Sequence, residues 1–122
     1  MELTKQDPEF WTTKEAFYQT MLSSIEEFKI ELANEKNSAG AINGCSRVSS
    51  AFVNHIHGYT EHIRFEDITV ANASTKFLAH VKWEGLTDWN AKEIKLKLRL
   101  FLEFLKKKGV RNEKVLEYYQ KN

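Results

Sequence analysis

Apolar residues recur at helical spacing through most of this chain, and the first clear stripe lies near the N-terminus. The apolar positions of the stripe follow one another at steps of three and four: Phe17, Met21, Ile25, Phe28 and Leu32. Thr12, with Glu15 three residues later, has the pattern of a capping box at a helix start. We therefore predict an amphipathic helix over residues 13–35, with its acidic side chains lying off the apolar face.

A run of small and polar residues separates this helix from the next predicted one. Residues 37–44, NSAGAING, contain two glycines and two asparagines, which tolerate the backbone conformations of turns, so we predict a loop there. Phe52, Ile56, Tyr59 and Ile63 then share a face and predict a second helix over residues 46–64. Gly58 inside this helix costs up to about 1 kcal/mol relative to alanine.

Two structures fit residues 65–85. As a helix starting near Thr69, the apolar positions have a period of 3.6: Val70, Ala73, Phe77, Leu78 and Val81. As a strand, Phe77, Ala79, Val81 and Trp83 alternate with more polar neighbours, and a hairpin would then span residues 63–83. Asp67 and Thr69 resemble helix caps, so the pattern favours the helix.

The strongest helical pattern covers residues 89–108, WNAKEIKLKLRLFLEFLKKK. Its main apolar face consists of Ile94, Leu98, Phe101, Leu102 and Leu105, and Leu100 and Phe104 widen it. A helix that is apolar over so much of its circumference is typical of the centre of a bundle. Gly85, Thr87 and Asp88 predict a break and a cap before it, and Gly109 predicts its end. Asn112 is placed to cap a final helix containing Val115, Leu116, Tyr118 and Tyr119.

These patterns predict an all-α fold, a compact bundle of about five helices forming one domain over residues 1–122. The alternative is an α+β fold with the hairpin at 63–83. A chain of 122 residues that is 42% apolar suits one hydrophobic core. No apolar run approaches the roughly 20 residues that span a bilayer, and the polar N-terminus lacks a signal-peptide core. We therefore expect a cytoplasmic protein without a membrane partner, and the single cysteine agrees with a reducing compartment.

The net charge of +1 conceals a segregation of charge along the chain. Residues 1–37 carry four basic and eight acidic side chains, whereas residues 92–122 carry ten and four. Four cations of the long predicted helix fall on one narrow edge, here called the basic stripe: Lys92, Lys95, Arg99 and Lys106. Such an edge favours an anionic partner such as nucleic acid, although Glu103 in its middle weakens the field.

Three segments carry a resemblance to a known family. SRVSSAFVNHIHGYTEHIR has a small-residue start and spaced apolar positions, and FEDITVANASTKFLAHV has an acidic-Ile-Thr opening. WNAKEIKLKLRLFLEFLKKKG is a long helix that ends in a phenylalanine-leucine-lysine-glycine stretch. In this order, over residues 46–119, the segments resemble the N-terminal core-binding domain of tyrosine recombinases, the SAM-like module of phage integrases.

That family uses the module as one half of a clamp around DNA, and a catalytic domain forms the other half. The resemblance implies DNA contacts by basic residues of the module's first and long helices, Arg47, Lys92, Lys95 and Arg99; Lys106 continues the stripe. The chain departs from the family in two ways. Its 122 residues offer no counterpart of the catalytic arginines, histidine and tyrosine, and the acidic helix within residues 1–37 is unexplained by the resemblance.

Few residues have a pattern that indicates catalysis or metal binding. The histidines, His55, His57, His62 and His80, fit no standard ligand spacing, so we expect no metal and no cofactor.

Cys45 follows Gly44 and would be reactive at a helix N-terminus, but no base is placed beside it. Tyr118 and Tyr119 are expected to pack. We find no Gly-rich phosphate loop and no Ser-His-Asp set, so we do not expect an enzyme.

Three functions fit these observations. The leading hypothesis is a small non-catalytic helical module that binds double-stranded DNA through its basic helix edge. The alternative is a helical protein-interaction domain of the immunity, antitoxin or adaptor type, suggested by the acidic first helix and the many aromatic residues. An exposed acidic-aromatic patch on the first helix would favour it, and one exposed tryptophan among Trp11, Trp83 and Trp89 would mark a binding surface. The second alternative is an α+β domain that binds a small ligand, which requires the hairpin.

Overall fold

The computed structural model describes residues 3–81, 86 and 89–121. The described residues form five α-helices: α1 (Pro8–Asn34), α2 (Ala39–Tyr59), α3 (Phe77–His80), α4 (Ala91–Lys107) and α5 (Glu113–Lys121). A 3₁₀ turn (Phe65–Asp67) and a π-helical turn (Asn72–Lys76, here the π turn) lie between α2 and α3. Because this part of the chain contains no strand, the all-α prediction is confirmed and the hairpin is wrong over residues 63–81. Trp83 lies outside the described residues.

Helix α1 begins earlier than predicted. Asp7 is its N-cap and Pro8 its first residue, so the prediction of a capping box at Thr12 and Glu15 is wrong. Proline suits the first helical position, because its fixed φ is already helical and its missing N–H would have had no partner there. The Asp7 carboxylate accepts a hydrogen bond from the Thr4 N–H at 2.8 Å, which holds the preceding turn.

Helix α2 occupies most of the segment that was predicted as a loop. It starts at Ala39, and the hydroxyl of Ser38 accepts a hydrogen bond from the Ala41 N–H at 3.1 Å, so the loop over residues 37–44 is wrong. The reversal between α1 and α2 is confined to a few residues around Lys36, whose φ is 63°. Helix α2 then ends at Tyr59 rather than at residue 64. Helix capping and burial have outweighed the turn preference of glycine and asparagine here.

The hydrophobic core is built around α4, as its pattern predicted. Its buried side chains are Ile94, Leu98, Phe101, Leu102, Phe104 and Leu105. The Phe28 ring of α1 lies 5.4 Å from that of Phe101 and 5.3 Å from that of Phe104, centroid to centroid. Helices α1, α2 and α5 all pack against α4. Leu100 is 37% exposed, so the expectation that it widens the buried face is wrong.

Two of the predicted helix ends, at Gly109 and Asn112, are confirmed, and the predicted break before α4 lies on residues that the structure does not describe. The α4 N-cap is Asn90, whose side-chain oxygen accepts from the Glu93 N–H at 2.8 Å, whereas the predicted break at Gly85, Thr87 and Asp88 lies outside the described residues. Gly109 has a φ of 86° just past α4, as predicted. The predicted cap of α5 is also confirmed, since the side-chain oxygen of Asn112 accepts from the Val115 N–H at 3.2 Å.

Hydrogen bonds from α5 and from its N-cap residue hold the segment between α2 and α4 in place. The Asn112 amide donates to the carbonyl oxygens of Phe65 at 2.9 Å and Ile68 at 2.7 Å, and the Tyr119 hydroxyl donates to that of Ala73 at 2.5 Å. Tyr119 is therefore a packing residue, as expected. None of the helices in the described parts of the chain combines the length and the apolar character needed to cross a membrane.

Candidate nucleic-acid interface

The basic stripe on α4 is partly neutralised by carboxylates. Arg99 Nε lies 3.2 Å from Glu103 Oε1 on the same helix, and Lys106 Nζ lies 3.6 Å from Glu113 Oε2 of α5. Lys92 is exposed and Lys95 is half-buried. The structure therefore leaves the N-terminal half of the stripe as its more strongly basic part.

Acidic α1 also packs against the basic C-terminal end of α4. Lys107 Nζ lies 2.8 Å from Glu31 Oε1, and this contact raises the pKa of Lys107. Part of the charge that is segregated along the sequence is thus paired in space. Within the stripe, the two cations that are not paired with a described carboxylate, Lys92 and Lys95, are the ones nearer the start of α4.

A second basic feature lies between α2 and α4 and was not predicted. The indole ring of Trp89 has the guanidinium carbon of Arg47 5.3 Å from its centroid and Lys97 Nζ 5.5 Å from it. These distances are those of cation–π contacts, worth about 0.5–2 kcal/mol each depending on burial. We call Arg47, Trp89 and Lys97 the Trp89 cluster.

Gly44 provides the space in which the Trp89 cluster packs. A Cβ atom added at Gly44 would lie 3.1 Å from Trp89 Cη2 and 3.1 Å from Lys97 Cε, closer than ordinary van der Waals contact. Gly44 is a buried residue of α2, so the indole and the lysine stem lie directly against the backbone of that helix. The cluster is therefore a point where α2 and α4 meet.

The Trp89 cluster and the basic stripe lie on different sides of α4. With 3.6 residues per turn, Lys97 is rotated by roughly 160° from Lys95 and from Arg99 around the helix axis. The structure joins Arg47 to Lys97 through Trp89, whereas the sequence had grouped Arg47 with the stripe. Helix α2 contains no Asp or Glu, so it contributes no carboxylate to this surface.

Sequence reasoning missed Lys97 and the role of Trp89. Lys97 lies off the helical edge that was used to select cations, and Trp89 carried no signal beyond its size. Arg47 and Lys97 are far apart along the chain, and no local pattern relates them. Only the packing of α2 on α4 shows that both contact the same indole.

The histidines do not assemble a metal site. His57 stacks on Tyr18 with ring centroids 4.1 Å apart, and His80 stacks on Tyr59 at 4.9 Å. Within the described stretches, no group of three or more His, Cys, Asp or Glu side chains converges as metal ligands do. His55 is buried and is held by a backbone carbonyl group.

Cys45 lies inside α2 rather than at its N-terminus, since that helix begins at Ala39. Its thiol is buried, and burial raises its pKa, against a smaller lowering by Lys97. A raised pKa means less thiolate at neutral pH, and the thiolate is the nucleophilic form. The idea of a reactive thiol at a helix start is therefore wrong.

A different surface lies at the junction of the start of α1 and the end of α2. A groove of about 290 Å³ is lined there by Trp11, Tyr59 and Lys14, among others, and we call it the aromatic groove. Trp11 is 52% exposed and Tyr59 57% exposed, which is unusual for large side chains. The Trp11 indole N–H donates to the Lys5 carbonyl oxygen at 3.0 Å, which fixes the ring in place.

Comparisons of the chain with protein-family models, with curated proteins and with solved structures found no match. The resemblance to recombinase core-binding domains therefore rests on the three sequence segments.

Proposed function

We propose that the protein is a small non-catalytic helical module that binds nucleic acid, with duplex DNA as the ligand that the core-binding resemblance suggests. The observation that carries the proposal is that Arg47 and Lys97 both contact the ring of Trp89, on a surface to which α2 adds no carboxylate. Cations from two helices are brought to one place, which is what contact with a phosphate backbone requires.

The residues of the cluster have distinct parts in this mechanism. An arginine side chain such as that of Arg47 has a planar fork that matches two phosphate oxygens, and Lys97 adds a compact point charge. Trp89 restrains both side chains, so less conformational entropy is lost when a phosphate binds. Lys92 and Lys95 at the start of the stripe add phosphate contacts on another side of α4, and Arg99 and Lys106 add less because each is paired with a carboxylate.

The test is the affinity for labelled duplex DNA across a salt series. An Arg47→Gln/Lys97→Gln variant is compared with the parent and with a Lys114→Gln/Lys121→Gln variant, which loses the same charge from exposed positions of α5. The cluster variant should bind more weakly, and the slope of log affinity against log salt should fall by about one to two units, one per lost phosphate contact. The α5 variant should keep the slope of the parent.

Two results would refute the proposal. One is an absence of binding by the parent at low salt. The other is an equal loss in the two variants, which would mean that only net charge matters.

A second candidate function, protein interaction, is favoured by the aromatic groove. Two neighbouring aromatic residues that are each more than half exposed form the kind of surface at which partners insert an apolar side chain. The test is a Trp11→Ala/Tyr59→Ala variant beside an Ile30→Ala variant, which removes another exposed apolar side chain of α1. A partner identified with the parent should bind, as a purified protein, to the parent and to Ile30→Ala but not to the double variant.

A further inference from the structure

The imidazole of His55 is buried, and only one of its two ring nitrogens has a hydrogen-bond partner among the described residues. The residue lies on α2 and is 1% exposed. Its Nε2 lies 2.9 Å from the carbonyl oxygen of Asn72 in the π turn. Because a carbonyl oxygen only accepts, Nε2 must carry the proton in this contact. Its Nδ1 is buried and has no hydrogen-bond partner among the residues that the structure describes, so nothing described there would accept from a second proton.

The surroundings of His55 oppose a positive charge. The ring lies 5.5 Å from that of Tyr59 on its own helix, 5.5 Å from Phe77 and 5.6 Å from His80 on α3. Burial lowers the pKa of His55; the Asn72 carbonyl opposes this by a smaller amount, and His80 and Lys76 lower the pKa further. From α5, Tyr119 contacts the same turn through the Ala73 carbonyl group. None of these neighbouring titratable groups is a carboxylate.

We propose that His55 is an acid-sensitive latch whose protonation releases the π turn and α3 from α2. A second proton must go to Nδ1, where it would create a buried cation without an acceptor. Such a charge is costly unless it reaches water, and the ring reaches water by leaving the Asn72 carbonyl group. Release uncovers Phe77, which is packed edge-on against Phe52 of α2 at 5.4 Å. π-Helical turns are often found at functional sites, which agrees with this one holding a switch.

The pH range of the switch follows from the direction of the pKa change. The folded-state pKa lies below that of an unfolded histidine, about 6.5, so the released state binds more protons. The free energy that holds the π turn and α3 against α2 is therefore at its full value above about pH 6.5 and decreases as the pH falls below it. The equilibrium constant for opening should rise by up to about tenfold per pH unit until the folded-state pKa is reached.

The test is the protection of backbone amides in residues 73–80 against hydrogen exchange at about pH 7 and about pH 5, after correction for intrinsic exchange. Protection there should fall, by up to about tenfold per pH unit below the pKa of an unfolded histidine, and by much less in the middle of α4. His55→Gln retains an N–H that can donate to Asn72 but cannot titrate, so its protection should not change with pH. His57→Gln, two positions along the same helix, should respond as the parent does.

A measurement on the parent protein keeps the proposal testable if His55→Gln does not fold. The imidazole ¹⁵N shifts of His55 should show the Nε2–H tautomer at neutral pH and a titration below that of an exposed histidine. A Nδ1–H tautomer, an ordinary titration, a protection pattern independent of pH, or an unchanged pH response in His55→Gln would each overturn the latch.

Discussion

The ammonium group of Lys14 on α1 donates a hydrogen bond to the carbonyl oxygen of Thr60, the C-cap residue of α2, at 2.7 Å. A second, longer contact of 3.4 Å reaches the His62 carbonyl oxygen. Lys14 is buried, and burial lowers its pKa. A cation near a helix C-terminus satisfies carbonyl groups that have no partner within the helix and interacts favourably with the helix dipole. One side chain thus joins the start of α1 to the end of α2.

We expect Lys14→Met to destabilise the protein by about 1–3 kcal/mol, because it leaves a buried carbonyl oxygen without its donor while keeping most of the apolar stem. The measurement is the urea midpoint of unfolding. Lys29→Met is the matched control, since Lys29 is on the same helix and pairs with Glu26 near the surface at 3.4 Å. The control should change stability by less than about 0.5 kcal/mol. Equal midpoints for Lys14→Met and the parent would show that the contact is not stabilising.

We expect Tyr119→Phe to cost about 1–2 kcal/mol. The Tyr119 hydroxyl is buried and donates to the Ala73 carbonyl oxygen at 2.5 Å, so its removal leaves an acceptor unsatisfied inside the protein. Burial also raises the pKa of this phenol, which keeps it a donor at all ordinary pH values. Tyr59→Phe is the control, because Tyr59 is largely exposed. Equal thermal midpoints for Tyr119→Phe and Tyr59→Phe would show that the hydrogen bond from Tyr119 to Ala73 does not stabilise the protein.

Two of the three glycines of α2, Gly44 and Gly58, should respond differently to alanine. A Cβ at Gly58 would meet nothing within 4 Å, so Gly58→Ala should stabilise the protein by about 0.5–1 kcal/mol through helix propensity. Gly44→Ala should gain less or lose stability, because its Cβ would press on Trp89 at 3.1 Å. Chemical denaturation checks both, and the tryptophan emission of Gly44→Ala should shift as well. A larger gain at Gly44 than at Gly58 would contradict the packing described for the Trp89 cluster.

Removing the carboxylates that pair with the basic stripe should strengthen DNA binding. Glu103→Gln/Glu113→Gln leaves Arg99 and Lys106 without their partners, and we expect the affinity for duplex DNA at low salt to rise by about threefold. Glu66→Gln/Glu117→Gln removes the same charge elsewhere and controls for net charge. An increase that is the same in both variants would mean that the stripe does not contact DNA.

Helix periodicity predicted the buried face of the central helix, whereas local caps were correct at Asn112 and wrong at Thr12. The buried face of α4, its end before Gly109 and the cap at Asn112 were predicted because each depends on residues within a turn or two of one another. The prediction failed at residues 37–44, where glycine and asparagine suggested a loop. There the Ser38 cap and the burial of Gly44 and Cys45 favour a helix, and burial is invisible in a short window of sequence.

The sequence by itself determined that this protein is helical and where the face of its central helix lies, because a 3.6-residue apolar period can be buried only as a helix. Only the tertiary structure decided which charges meet. It paired Glu31 with Lys107, placed Lys14 at the end of α2, and brought Arg47 and Lys97 to the ring of Trp89. These contacts join residues on different helices, and their geometry exists only once the core has set how the helices pack.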